Sequence, residues 1–146
     1  VTPRGTPGHL PCVPTAATLA HVAADLGLVD AAAGLAGQIE PLRGQMVGWT
    51  SLASLGHADL ALGRLLLLEG RADDAAAALA ASAELCERGG LRPFLAQTRL
   101  AQGEVARVQD DETAARAFFA QALEVAEAGD FRTTIRRATA ALADLG

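Results

Sequence analysis

The sequence predicts an all-α chain of about seven helices, arranged as antiparallel helix pairs. Three observations carry that expectation. Alanine, the strongest helix former, supplies 34 of the 146 residues, and its small side chain lets helices approach closely. Apolar residues recur at helical spacing from about residue 15 onward, punctuated by glycine. Four residue pairs also match, small for small or large for large, at one separation of 40. They are Gly63 with Gly103, Ala75 with Ala115, Leu79 with Phe119, and Ser82 with Ala122. Aromatic residues make up only 3% and β-branched ones are sparse, so little argues for strands.

The elements follow in order. Residues 1–14 hold Pro3, Gly5, Pro7, Gly8, Pro11 and Pro14, which reads as an irregular leading segment or linker. A first helix spans about 15–26 and stops at Gly27; a second spans about 29–39 and breaks near Pro41. Residues 43–51 read as a longer loop, with Met46 and Trp49 placed to plug the seam between the first two units; a ligand-facing Trp49 is the other reading. The third helix is expected over 52–69, before Gly70. The fourth covers 72–88, with Asp73 and Asp74 in its first turn and Gly89-Gly90 as its stop. The fifth opens at Pro93 and runs to about 108. The sixth starts behind Asp110 and Asp111 and ends before Gly129, and the seventh covers about 132–143. A helix pair cannot bury its apolar face alone, so the pairs must stack. Residues 15–146 are thus one domain, with units 15–42, 52–90 and 92–129 and a capping helix at 131–145.

Composition excludes several functions. The net charge is −5, so a nucleic-acid surface is not the default reading. Arg132, Arg136 and Arg137 cluster, which reads as a solvated helix face or as a contact to phosphate or an acidic partner. No run of 18 apolar residues occurs. Cys12 and Cys86 form no CxxC pair, and a reducing, cytoplasmic setting is expected. The chain begins with valine and shows no signal-peptide pattern, which reads as a fragment of a longer protein.

Catalytic motifs are absent. The chain has no lysine, all 12 basic residues being arginine, so a P-loop is excluded. There is no G-x-S-x-G, no H-E-x-x-H and no deaminase-type zinc signature. His9, His21 and His57 are scattered and read as surface or groove residues. His57 and Asp59, two apart on a helix, face different ways. The Asp110-Asp111-Glu112 run reads as cap and first-turn carboxylates rather than a cation site. Cys86, on the apolar side of its helix, reads as a buried structural thiol, and Phe118 and Phe119 as core and flank packing. No enzyme activity, metal or cofactor is expected.

Within each 40-residue unit the pattern resembles the tetratricopeptide repeat. Leu62-Gly63 sits at that family's Leu-Gly pair, Gly70 at its inter-helix turn, and Ala75, Leu79 and Ser82 at its second-helix packing positions. Gly103, Ala115, Phe119, Ala122 and Leu123 are the equivalents in the next unit. The family's aromatic positions are filled here by Asp59, Arg99, Leu66 and Ala106, and the period exceeds the usual one of about 34. The resemblance implies a right-handed array whose first helices line a concave groove. Its partner-facing positions fall on His57, Leu60, Arg64, Gln97, Leu100, Glu104 and Arg107, with His21 and Arg137 extending the line. Arginine forks there suit a carboxylate or peptide terminus, and the competing reading is that they are solvated or pair internally.

Three longer stretches, 22–49, 57–104 and 114–130, also resemble the C-terminal helical-repeat region of actinobacterial signalling ATPases, both LuxR-type regulators and cyclase-fused forms. That implies a non-catalytic protein-interaction or sensor module in a regulator of signalling or transcription, binding a protein or peptide segment of its own chain or another. An oligomerisation or scaffold element of a free-standing adaptor is the alternative. Replacing Arg64 and Arg107 together by alanine is expected to weaken partner binding; unchanged binding removes the groove reading.

Overall fold

Five helix-to-helix turns are built from one local motif. In each, a residue with positive φ ends the helix: Gly27 (67°), Gly70 (79°), Gly90 (64°), Asp110 (59°) and Asp130 (54°). The next residue then donates its N–H to the carbonyl five positions back. These bonds run from Leu28 to Ala23, Arg71 to Leu66, Leu91 to Cys86, Asp111 to Ala106 and Phe131 to Ala126, each at 2.9 Å. This satisfies a terminal carbonyl and reverses the chain within two or three residues, so sequential helices run antiparallel.

The computed structural model describes residues 13–49 and 53–146. Among them are seven helices: α1 (Val13–Leu26), α2 (Val29–Ile39), α3 (Ala58–Leu68), α4 (Ala72–Gly89), α5 (Arg92–Val108), α6 (Glu112–Ala128) and α7 (Arg132–Asp144). The all-α class is therefore observed. α1 packs on α2, and each helix from α3 to α6 packs on the next. Every second helix also meets, α1 with α3, α3 with α5, and α5 with α7. The odd-numbered helices thus form a continuous row.

Packing within the pairs depends on two glycines. A Cβ built on Gly63 of α3 would lie 2.6 Å from Leu79 Cγ of α4. One on Gly103 of α5 would lie 2.4 Å from the Phe119 ring of α6. Leu79 and Phe119 are fully buried, so neither can swing away. The same contact therefore recurs at the sequence separation that relates the two halves. Around them lie Ala75 and Ala78, then Ala115 and Ala122, all buried. Phe119 is the core residue of its pair and Phe118 packs half-buried beside it. Between the pairs, the Ser82 hydroxyl of α4 meets Thr98 Oγ1 of α5 at 3.0 Å. Thr98 donates to the Phe94 carbonyl at 2.8 Å, so the Ser82 hydroxyl is the donor of the first bond.

Two expectations need correction. The first helix starts at Val13, with Pro14 tolerated in its first turn. The third starts at Ala58 rather than 52, because residues 46–49 of the expected 43–51 loop and residues 53–57 after it pair as an antiparallel hairpin. Its strands are β1 (Met46–Trp49) and β2 (Ala53–His57), paired Met46 to His57, Gly48 to Ser54 and Trp49 to Ala53, with a bulge between Met46 and Gly48. Gly56, at φ 89°, cannot continue a helix backward from Ala58. A Cβ there would lie 2.8 Å from the Phe94 ring, so its bare backbone seats α5 against the hairpin. Val47 of the hairpin is buried, as are Gly56 and His57, whereas Met46 is 46% exposed and plugs no seam. The readings of the Trp49 side chain, His9, Cys12 and residues 1–12 lie outside the described residues.

Asp111 does cap α6, accepting the Ala114 N–H at 2.9 Å. Asp110 instead occupies the left-handed position, where glycine is preferred.

Glycines at different sites should respond in opposite directions. Gly63→Ala is expected to cost about 1–3 kcal/mol through overpacking against Leu79. Gly34→Ala on α2, where an added Cβ meets nothing within 4 Å, is expected to stabilise by about 0.5–1 kcal/mol. Urea unfolding of the two variants checks both signs.

Candidate functional site: the cleft of the odd-numbered helices

Side-by-side packing of α1, α3, α5 and α7 brings residues from four distant stretches to one surface. They enclose a cleft of ≈ 580 Å³ with an adjoining recess of ≈ 220 Å³. Asp25, Arg64, Glu104, Thr133 and Arg137 border both. Leu67 and Leu68 add an apolar wall to the larger one, and His21, Gln97 and Leu100 line the smaller.

The charges are paired across helices. Asp25 Oδ1 of α1 accepts from Arg64 Nη2 of α3 and also lies 3.5 Å from Arg137 Nη1 of α7. The other terminal nitrogen of Arg137 reaches Glu104 Oε1 of α5 at 3.3 Å. Arg64 Nη1 lies 2.8 Å from His21 Nδ1. A guanidinium only donates, so Nδ1 accepts and the ring is neutral with its proton on Nε2. His21 and Asp25 lie one helical turn apart on α1, so both reach Arg64. Arg64 has a side chain only 12% exposed, and Asp25 is about half exposed. One carboxylate oxygen thus draws two guanidinium groups together at an open surface. The Arg137 contacts, between partly exposed groups at 3.3–3.5 Å, are individually worth under about 1 kcal/mol.

The expected partner-facing residues divide. Arg64, Gln97, Leu100, Glu104 and Arg137 line the cleft, and so does His21. Leu60 is fully buried in the core and His57 is only 7% exposed, so neither presents to a partner. Arg107 is exposed but borders neither cavity. The displaced start of α3 explains His57, which precedes that helix in extended conformation. Arg64 does pair internally, the competing reading for that residue. Asp25, Leu67, Leu68, Thr133 and Thr134 are cleft residues that the repeat pattern did not indicate. For Asp25 the available signal was its one-turn spacing from His21. The Arg132-Arg136-Arg137 cluster is divided too: Arg137 turns into the cleft, while Arg132 is 87% exposed and 3.6 Å from Asp130.

Two further polar groups, Asp59 and Cys86, are buried away from the cleft. Asp59, 2% exposed, accepts from Arg43 Nε at 3.0 Å and from the Gly44 N–H at 2.6 Å, tying the segment before the hairpin to α3. That bond holds the Arg43 pKa above its ordinary value. Cys86 is fully buried, and burial pushes its thiol up against smaller lowering contributions from Ser82 and Thr98. The reactive species is the thiolate, so this cysteine is poorly suited to nucleophilic chemistry. Among the described residues no three His, Cys, Asp or Glu side chains converge as metal ligands, and no helix is long and apolar enough to cross a membrane.

No protein-family model, curated protein or solved structure matches the chain.

His57 makes stability pH-dependent. Neither ring nitrogen has a hydrogen-bond partner, and burial lowers its pKa below 6.5 despite the opposing influence of Asp59 and the Gln45 carbonyl. The folded state therefore favours the neutral ring. This contribution is fully present above pH 6.5 and is lost as pH falls through the lowered folded value. The urea midpoint is expected to drop between about pH 7.5 and about pH 5, and to drop less in His57→Gln.

Proposed function

We propose that the chain is a non-catalytic interaction module of tetratricopeptide-like architecture, and that the cleft of α1, α3, α5 and α7 receives a partner segment bearing a carboxylate. The observation that carries this reading is the convergence of Arg64 and Arg137 on Asp25. Two guanidinium forks separated by one exchangeable carboxylate form a ready receptor for another. The apolar wall of Leu67 and Leu68 suits an aliphatic residue beside that carboxylate. Gln97 and Thr133 supply neutral polar groups for a peptide backbone.

In the wider protein this module would be the regulatory region of a cytoplasmic signalling ATPase or transcription regulator, without direct nucleic-acid or membrane contact by these helices. Support for that placement is the resemblance of residues 22–49, 57–104 and 114–130. An ATPase, cyclase or DNA-binding domain encoded on the N-terminal side would agree with it. A free-standing gene product would favour an adaptor.

The cleft reading is tested by titrating the protein with a short acidic peptide, with its C-terminus free or amidated, and following backbone amide resonances. Shifts at Gln97, Thr133 and Arg137 are expected, stronger for the free carboxylate. Arg64→Ala with Arg137→Ala should weaken binding at least about tenfold, roughly 1.4 kcal/mol. Asp25→Asn, which removes the internal competitor, should strengthen it. No perturbation of cleft amides by either peptide at millimolar concentration would overturn the reading.

A further inference from the structure

We propose that the segment received by the cleft carries a basic side chain beside its carboxylate, and that Glu104 and Asp25 take that cation. The inference rests on the cleft reading above and adds a second charge to the partner. The ionised groups bordering the cavities alternate in sign across four helices: Arg64 of α3, Asp25 of α1, Arg137 of α7 and Glu104 of α5. His21, also on these walls, accepts from Arg64 as a neutral ring. Two guanidinium groups and two carboxylates sum to zero.

Donors and acceptors are used unequally. Arg64 engages His21 through Nη1 and Asp25 through Nη2, and its side chain is only 12% exposed. Arg137 engages Asp25 through Nη1 and Glu104 through Nη2. The terminal nitrogens of both guanidinium groups thus already face acceptors. The carboxylates are less committed. Both arginine contacts of Asp25 run through Oδ1, and Glu104 meets Arg137 through Oε1. A carboxylate has two oxygens and about four lone-pair sites, and these two side chains are 53% and 35% exposed. The surplus hydrogen-bonding capacity of the cleft is therefore acceptor capacity, open to solvent.

A ligand bearing only a carboxylate would have to draw Arg64 and Arg137 away from Asp25. It would bring a third negative charge beside two existing ones, and like charges so placed repel. A ligand that also carries a guanidinium or ammonium group avoids this. Its carboxylate joins the arginines, its cation meets the open oxygens of Glu104 and Asp25, and the charges again alternate and sum to zero. Both carboxylates contact the one Arg137 guanidinium, so the two seats are adjacent. A basic residue next to a C-terminal aliphatic one fits this spacing, with the aliphatic side chain on Leu67 and Leu68.

Amide-resonance titration of the full chain with two peptides tests it. Both are N-acetylated tetrapeptides with a free C-terminus, one ending in arginine–leucine and the other in citrulline–leucine, so that they differ in one positive charge at nearly constant shape. The arginine peptide is expected to bind about threefold to tenfold tighter at low salt. Glu104→Gln should bring the two Kd values together, and Asp25→Asn should narrow their ratio; a variant that merely loosened the fold would weaken both peptides alike. Equal binding of the two peptides to the unaltered protein would overturn this inference and leave the cleft reading standing. So would a preference for arginine that survives both substitutions. Cleft amides unmoved by either peptide would overturn both.

Discussion

Two helices can approach only as closely as their contact residues permit, and here the limit is set at Gly63 and Gly103. With aromatic residues at 3% of the chain, the core is filled mainly by alanine. Alanine buries little surface and has a short reach, so alanine-rich faces cohere only when the helix axes come close. A bare backbone at Gly63 and Gly103 supplies that closeness, and Leu79 and Phe119 fill the space beside it. Any side chain at either glycine would drive the pair apart and open the surrounding alanine contacts together. The spacing of α3 on α4 and of α5 on α6 is set at these two positions.

The turns enforce the same regularity along the chain. One motif, with a left-handed residue followed by a bond to the carbonyl five back, closes five helix ends. Each of these turns is short and places the next helix directly beside the last, while the hairpin joins α2 to α3. The odd-numbered helices pack side by side, and residues as distant as Asp25 and Arg137 become neighbours. The cleft is a by-product of this stacking. Its charged side chains are held by ion pairs that cross between helices, from the largely buried Arg64 to the half-exposed Asp25 and on to Arg137 and Glu104.

Much of this was legible in the residues. Gly27, Gly70 and Gly90 mark helix ends in the sequence as they do in the structure, because a left-handed turn penalises most other residues. Asp110 and Asp130 occupy the same geometry, but Asp110 read as a cap or first-turn acid and Asp130 carried no turn signal of its own, so their backbone role was hidden. The hairpin was missed for a related reason. Its strands are four and five residues long, too short for alternation to outweigh the leucine-rich pattern that follows. Moving the start of α3 to Ala58 is what withdrew His57 from the cleft. Leu60 was lost differently: a fixed repeat position points to a groove only if the local helix is rotated as in the family, and here that residue faces the core.

Helix content, the turn positions and the glycine-on-large contact were determined by the sequence alone, because each rests on near-neighbour propensity or on a spacing that survives in any arrangement of the pairs. The pairing of Arg64 with His21 and Asp25 and the sharing of Asp25 with Arg137 were decided by the tertiary structure. These features join residues through the rotation of one helix against another. That rotation is fixed by packing over the whole row, and no local stretch of sequence contains it.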